Sequence, residues 1–459
     1  MIASESIRGR ANYERGWLKK LALLHIDANI YRILEIREYT QETVRKIFNN
    51  AVTAYVNRNM TMGITMTEKK RVLSRAAYRI EGQPMFKVLE KVQKLEQQGE
   101  HIIHFEIGDP DFKTPDHIIE AAYSSMKNGE THYTNSMGLF DFREVVSEAT
   151  AFSRGFSPSI DQVLVTPGAN IIIYLAVKCL VNPGEEVIIP DPGFPTYYSV
   201  LKLCGVSAVR VPLREENKFR MNPDDIKNAI TPKTRLIIIN SPNNPTGSVM
   251  TSEEMNEIYR IAEKNGIYLL SDEIYSRMIY EEDAKFHSPS NGDFCKKLTI
   301  VANGFSKAFA MTGWRLGVAI GPEDVIEKMG LLVQTLVSCT PPFIQRAGIA
   351  AIKGDQAEIR NMMEIYKKRR DVIVDGLNSI PGISCLRSGG AFYVFPNITK
   401  TGMSSEEFAN YILDEAKVAI LPGTNFGNYG EGYVRLTYAT GVENIKIGIE
   451  RIRNAVEKL

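Results

Sequence analysis

Five side chains stand where packing alone does not ask for them. Asn244 lies in Ser241-Pro242-Asn243-Asn244-Pro245-Thr246-Gly247, and Asp272 and Tyr275 lie in Ser271-Asp272-Glu273-Ile274-Tyr275. Lys307 ends Asn303-Gly304-Phe305-Ser306-Lys307, and Arg435 sits in Tyr433-Val434-Arg435-Leu436-Thr437-Tyr438. An amide, a carboxylate, a phenol, an amine and a guanidinium together offer hydrogen-bond donors, a base and a cationic fork. Singly, each has a structural explanation. Asn-Pro and Pro-Thr-Gly are turn signals, an aspartate can cap a helix, and one lysine is one among many. Jointly they read differently, because all five belong to strand-like apolar runs or the segments just beyond them, and open α/β sheets bind ligands beyond the carboxyl ends of their strands.

Those runs alternate with longer helical periods. Ile102-Ile103-His104-Phe105, Val163-Leu164-Val165, Glu186-Val187-Ile188-Ile189, Leu236-Ile237-Ile238-Ile239, Tyr268-Leu269-Leu270 and Thr299-Ile300-Val301 predict strands. Their continuous apolar character predicts an α/β fold with a largely parallel sheet covered on both faces. The large domain is expected over residues 115–340. A smaller α+β domain is expected from residues 341–459, with strand-like Ala391-Phe392-Tyr393-Val394-Phe395 and Tyr433-Val434-Arg435-Leu436, completed by residues 66–114. Residues 1–65 carry apolar positions at three- and four-residue spacing and predict a helical N-terminal extension of uncertain role. Ten Lys plus Arg stand against six Asp plus Glu there.

Composition sets the outer limits. A chain of 459 residues holds about two to four domains and a large core. With 55 Lys plus Arg against 54 Asp plus Glu, the net charge is +1, so no bulk field draws in nucleic acid. Hydrophobic residues at 44% and charged residues at 24% match a globular chain and argue against global disorder. No run approaches the roughly 20 apolar residues of a membrane span, and the short patch Leu21–Leu24 does not make an export signal. The five cysteines, Cys179, Cys204, Cys295, Cys339 and Cys385, never form C-x-x-C and predict a reducing, cytoplasmic setting. His101 and His104 point to opposite faces of a strand-like run, so no metal site is expected.

In the order N-P-T-G, D-E-I-Y, S-K-x-F-x-M-T-G-W-R-x-G and Y-V-R-L, the sequence resembles the class I and II aminotransferases, fold-type I enzymes dependent on pyridoxal 5'-phosphate. The resemblance runs from about residue 80 to the C-terminus. It implies a large domain with a mainly parallel seven-stranded sheet, a smaller α+β domain, and amino transfer from an L-amino acid to a 2-oxo acid by a ping-pong mechanism.

Residue by residue, Lys307 matches the lysine that forms a Schiff base with the cofactor and then serves as general base. Asp272 matches the carboxylate that keeps the pyridine nitrogen protonated. Asn244 and Tyr275 match the donors to the phenolic oxygen, Asn244 also bordering the substrate. Gly168-Ala169-Asn170 matches the phosphate-binding helix start, helped by Arg315 and Ser306, while Gly304 stands where some relatives carry a serine. Phe194 matches the aromatic stacked on the ring, with Tyr197 three residues on in reach of Asp272. Tyr133 matches a tyrosine that reaches the neighbouring subunit's cofactor, which implies a homodimer with shared active sites. Arg435 and the backbone of Gly108 match the clamp on the substrate carboxylate.

Two other functions share these features. A β-lyase on the same scaffold would release ammonia and pyruvate without an acceptor, since fold does not fix outcome. A transcriptional regulator would use residues 1–65 as a DNA-binding head on an aminotransferase-like body, though no wing-like strand pair is visible. Asn170 occupies the position where some aspartate-using relatives carry a lysine, which weighs against strict aspartate specificity.

Overall fold

The computed structural model describes residues 73–459 apart from Arg75, Glu81 and 281–285, together with Lys46, Asn49, Asn50 and Thr53. These four are helical, with the Thr53 hydroxyl donating to the Asn49 carbonyl at 2.7 Å. The rest of the expected N-terminal extension lies outside the described residues. The chain separates into two units after Leu73, and the architecture below belongs to Ser74–Leu459.

In chain order the elements are α1 (Met85–Gln97), β1 (Ile103–His104), α2 (Asp116–Lys127), α3 (Phe140–Arg154), β2 (Val163–Thr166), α4 (Asn170–Leu180), β3 (Glu186–Asp191) and α5 (Pro195–Cys204). Then come β4 (Ser207–Pro212), α6 (Pro223–Ala229), β5 (Thr234–Asn240), α7 (Ser252–Asn265), β6 (Tyr268–Asp272), β7 (Thr299–Gly304) and β8 (Gly317–Ile320). The remainder is α8 (Glu323–Val337), α9 (Pro342–Lys353), α10 (Ala357–Asn378), β9 (Tyr393–Val394), α11 (Ser405–Tyr411), β10 (Val418–Ala419), β11 (Leu421–Pro422), β12 (Val434–Thr437) and α12 (Val442–Val456).

Seven strands form one sheet in the order β2-β8-β7-β6-β5-β3-β4. Only β8 runs against its neighbours. Strand periodicity divides the core between the two faces. Leu236, Ile238, Leu270 and Ala319 pack with apolar residues of α4, α5 and α8. The alternating Ile237, Ile239 and Leu269 pack with α6 and α7. Burial on both faces is why the strands read as unbroken apolar runs.

Two small sheets lie beyond: β1 parallel to β10, and the antiparallel order β11-β12-β9. One residue ties them together. The Phe105 amide donates to Ala419 and its carbonyl accepts from Thr437, both at 2.9 Å. A segment from the N-terminal side therefore completes a layer built mainly by the C-terminal stretch. The loop after β1 is pinned at Asp111, which accepts two hydrogen bonds from the nearly buried Arg369 at 2.7 and 2.8 Å. It is pinned again at Thr114, whose hydroxyl donates to the Ala310 carbonyl at 2.6 Å and accepts from the Trp314 indole at 3.0 Å.

The Gly389-Gly390-Ala391 turn docks on the large sheet's loops. The Gly390 amide donates to Gly247 at 3.0 Å and the Ala391 amide to Met278 at 2.9 Å. Among the described residues no helix is long and apolar enough to cross a membrane, and no cluster of His, Cys, Asp and Glu could hold a metal ion.

His104 has a structural use. It lies between Glu106 and Glu96 of α1, at 2.8 and 3.0 Å. The hydrogen bond it donates to Glu106 leads in raising its pKa to about 9, against partial burial. Because the folded value exceeds the unfolded 6.5, the stabilisation is complete below about pH 6.5 and disappears as pH rises through about 9. Half-exposure and screening keep it to about 1 kcal/mol or less. The Tm difference between wild type and His104→Gln is expected at pH 6 and should close by about pH 9.5; a pH-independent gap would contradict it.

Candidate active site

The common direction of the strands brings most of the chemistry to one edge. β2, β3, β5, β6 and β7 all run toward it, and β8, being reversed, starts from it. Gly168–Asn170 follow β2, Phe194 follows β3, Asn244 follows β5, Asp272 ends β6, Lys307 follows β7, and Arg315 precedes β8. Two further groups come from the smaller sheets: Arg435 from β12, and Gly108 from the loop after β1.

Lys307 is half-buried, and its Nζ donates to the Gly108 carbonyl at 2.6 Å. The ring of Phe392 lies 5.5 Å from the amine. Burial lowers its pKa to about 8, with Arg435 and Arg315 pushing the same way and Asp109 opposing them. An amine so placed spends a useful fraction of its time uncharged near neutrality.

Asp272 is buried and accepts from the Tyr197 hydroxyl at 2.6 Å and from the Ile274 amide at 3.3 Å. Burial pushes its pKa up to about 6, with the Tyr197 hydrogen bond holding it back. Among the described residues no cation pairs with it. A carboxylate enclosed in this way lacks a positive partner.

Arg435 is the complementary case. It is buried, donates to Asn244 Oδ1 at 3.3 Å and to the Glu106 carbonyl, and leaves its Nε without a partner. The rings of Tyr393 and Phe426 flank it at 4.6 and 4.9 Å. No carboxylate pairs with it among the described residues. A buried guanidinium in that condition is suited to receive one from outside.

Asn244 is set by its neighbours. Its amide donates to Asn240 Oδ1 at 2.9 Å, and Asn240 Nδ2 donates to the Asp272 carbonyl at 3.1 Å. Hydrogen bonds thus run from β6 through β5 to Arg435 and on to Glu106. Tyr275 is buried, its hydroxyl 2.8 Å from that of Tyr393. Phe194 opens α5 with its ring edge-on to Tyr197 at 5.7 Å between centroids.

At the opposite end of the edge, Gly168 has φ +86 and Ala169 caps α4. A Cβ at Gly168 would run into the Arg315 guanidinium, so a cation lies beside a helix start whose first N–H groups have no partner within the helix. That is a seat for a dianion. Ser306 is buried beside Lys307.

Most of the expected residues are therefore joined or packed at one place. Tyr133 is not, being 88% exposed and without a side-chain hydrogen bond among the described residues. Residues passed over in the sequence are Asn240, Glu106 and Tyr393. Asn240 was detectable as the polar end of an apolar strand. Glu106 bonds Arg435 through its carbonyl, which carries no side-chain signal.

The fit to pyridoxal phosphate rests on three features. A dianion seat without a Cβ lies at Gly168, a buried carboxylate short of a cation at Asp272, and an enclosed amine of lowered pKa at Lys307.

The family model for aminotransferase class I and II matches residues 100–452. An aspartate aminotransferase of Pyrococcus horikoshii is 44% identical over 372 residues, covering 81% of this chain and 93% of that protein. Aromatic-amino-acid aminotransferase 2 of Thermococcus litoralis is 39% identical, covering 81% and 95%. The solved structure of Thermus thermophilus aspartate aminotransferase with maleate superposes with a TM-score of 0.79 at 33% identity, covering 84% of this chain and 100% of that one. With a fold, a lysine-centred cleft and relatives that all agree, the chain belongs to the class I and II aminotransferases, fold-type I enzymes that work with pyridoxal phosphate.

Proposed function

We propose that the residues at this sheet edge divide amino transfer between an L-amino acid and a 2-oxo acid as follows. The observation that carries the reading is the placement of the Lys307 amine at the edge, bonded to the Gly108 carbonyl and facing the Phe392 ring. When bound, pyridoxal phosphate supplies an aldehyde carbon for the amino group and a ring that accepts the electron pair left when Cα loses its proton. Lys307 holds the cofactor between turnovers. Its amine, once freed, would be the base that takes the Cα proton and the acid that gives it back. Asp272 keeps a proton on the ring nitrogen, gaining the positive partner its burial demands, and Tyr197 orients it. Asn244 and Tyr275 donate to the phenolic oxygen.

Ala169 and Asn170 would offer backbone N–H groups and the α4 dipole to the phosphate, with Arg315 and Ser306 adding charge and a hydroxyl. Gly168, whose own N–H is taken by the Thr166 carbonyl, leaves room by lacking a Cβ. Phe194 covers one ring face. Arg435 takes the substrate α-carboxylate as a fork, and the Gly108 amide adds a donor.

The same reading accounts for Tyr133. An aromatic ring left that exposed is suited to reach a second copy's cofactor, so the working form is a two-fold homodimer. Five free cysteines suit a reducing cytoplasm. Asn170 brings an amide and no charge to the helix start, while relatives are named for aspartate and for aromatic amino acids. Both donor classes therefore belong in the assay.

Three outcomes are expected. Lys307→Ala should lose turnover by at least about a thousandfold and lose borohydride-fixed cofactor from its peptide; retained transamination removes the assigned role. The rate at which apoprotein captures pyridoxal phosphate covalently, followed by absorbance, should climb about tenfold per pH unit and level off near pH 8, where the free amine becomes the major form. A midpoint near the ordinary lysine value would contradict the electrostatics. With aspartate or phenylalanine as donor, product should form in step with consumption of a 2-oxo acid. Ammonia released without an acceptor would favour the lyase.

A further inference from the structure

Tyr275 carries one hydroxyl proton, and two oxygens compete for it. In the reading above it donates to the cofactor's phenolic oxygen. The structure gives it a second neighbour, the hydroxyl of Tyr393, at 2.8 Å in a fully enclosed spot. A pair of phenols shares a single O–H···O bond, and either could donate. Should Tyr275 donate to Tyr393, it would have nothing left for the cofactor.

Tyr393 is firmly held. It lies on β9, paired with Thr437 of β12. The Arg435 guanidinium stacks on its ring at 4.6 Å, and the ring of Phe392 is edge-on at 4.8 Å. Its hydroxyl occupies the space where a Cβ of Gly108 would begin, so the loop after β1 fits over it only because residue 108 has no side chain. Among the described residues the Tyr393 hydroxyl has one hydrogen-bond partner, Tyr275. A buried hydroxyl with one partner satisfies its proton by donating there.

We propose that Tyr393 is a positioning residue for the reaction: by donating its proton to Tyr275 it directs the Tyr275 proton outward and strengthens that hydroxyl as a donor to the cofactor's phenolic oxygen. A hydrogen bond received polarises the one given. The inference rests on the reading of Tyr275 as that donor. The charged or titratable groups facing this pair are Arg435 from β12, Asp272 from β6 and Asp109 from the loop after β1, and none is altered by removing a hydroxyl.

The test uses the full chain loaded with pyridoxal phosphate, without substrate, and reads the pH midpoint of the visible cofactor band. Donation to the phenolic oxygen stabilises its anion, so weaker donation raises the midpoint. Tyr393→Phe keeps the ring and its stacking and should raise the midpoint by about half a pH unit. Tyr275→Phe should raise it further, and the double variant should match Tyr275→Phe alone. Replacing Tyr393 by 3-fluorotyrosine, a stronger donor, should lower it.

An unmoved midpoint in Tyr393→Phe while Tyr275→Phe moves overturns the proposal and leaves the Tyr275 reading standing. An unmoved midpoint in Tyr275→Phe overturns that reading and the proposal with it. A Tyr393→Phe shift that persists undiminished in the Tyr275→Phe background overturns the relay.

Discussion

An amine that attacks a carbonyl must be uncharged when it does so, and the site is arranged to raise the uncharged fraction of one amine near neutrality. Lys307 is enclosed, and two guanidiniums share its surroundings. Desolvation and like charge act in the same direction, and Asp109 limits how far they go. The same enclosure leaves Asp272 and Arg435 with unmatched charges of opposite sign. They do not neutralise each other, because one ends a strand of the large sheet and the other lies on a strand of the small one. Each is left to meet a charge brought from outside.

Sheet geometry makes this separation possible. Parallel strands deliver every loop that follows them to one edge, and the reversed β8 supplies Arg315 from its beginning instead of its end. The reversal is what lets a cation and the Gly168 turn occupy the same corner. The carboxylate clamp arrives from a different sheet, joined to this edge through the bonds linking Asn240, Asn244, Arg435 and Glu106. Chemistry on the cofactor side and recognition on the substrate side thus rest on separate supports that meet at one asparagine.

Much of this was legible in the sequence. Apolar runs such as Leu236–Ile239 announced strands buried on both faces, and the polar segments after them announced the edge. Lys307, Asp272, Asn244 and Arg435 stood out through their joint placement in or after strand-like runs, each alone having an ordinary structural explanation. What escaped was whatever acts through backbone atoms or through a side chain that also packs well. The Glu106 carbonyl leaves no trace in residue type. Tyr393, in Ala391-Phe392-Tyr393-Val394-Phe395, reads as one more aromatic in a buried strand, and only its oxygen's position relative to Tyr275 separates it from Phe392. The His104 ion pairs were equally hidden, since Glu96 comes from a helix whose approach to β1 no local pattern specifies.

The threading of Phe105 between the two small sheets bears on how the molecule is made. Its amide waits for Ala419 and its carbonyl for Thr437, so a strand synthesised early has no partners until the ribosome has translated more than three hundred further residues. The lysine-bearing sheet can assemble during that interval, but the arginine fork cannot. A nascent chain can therefore form its seat for the cofactor before the arginine that would grip an amino acid has been made.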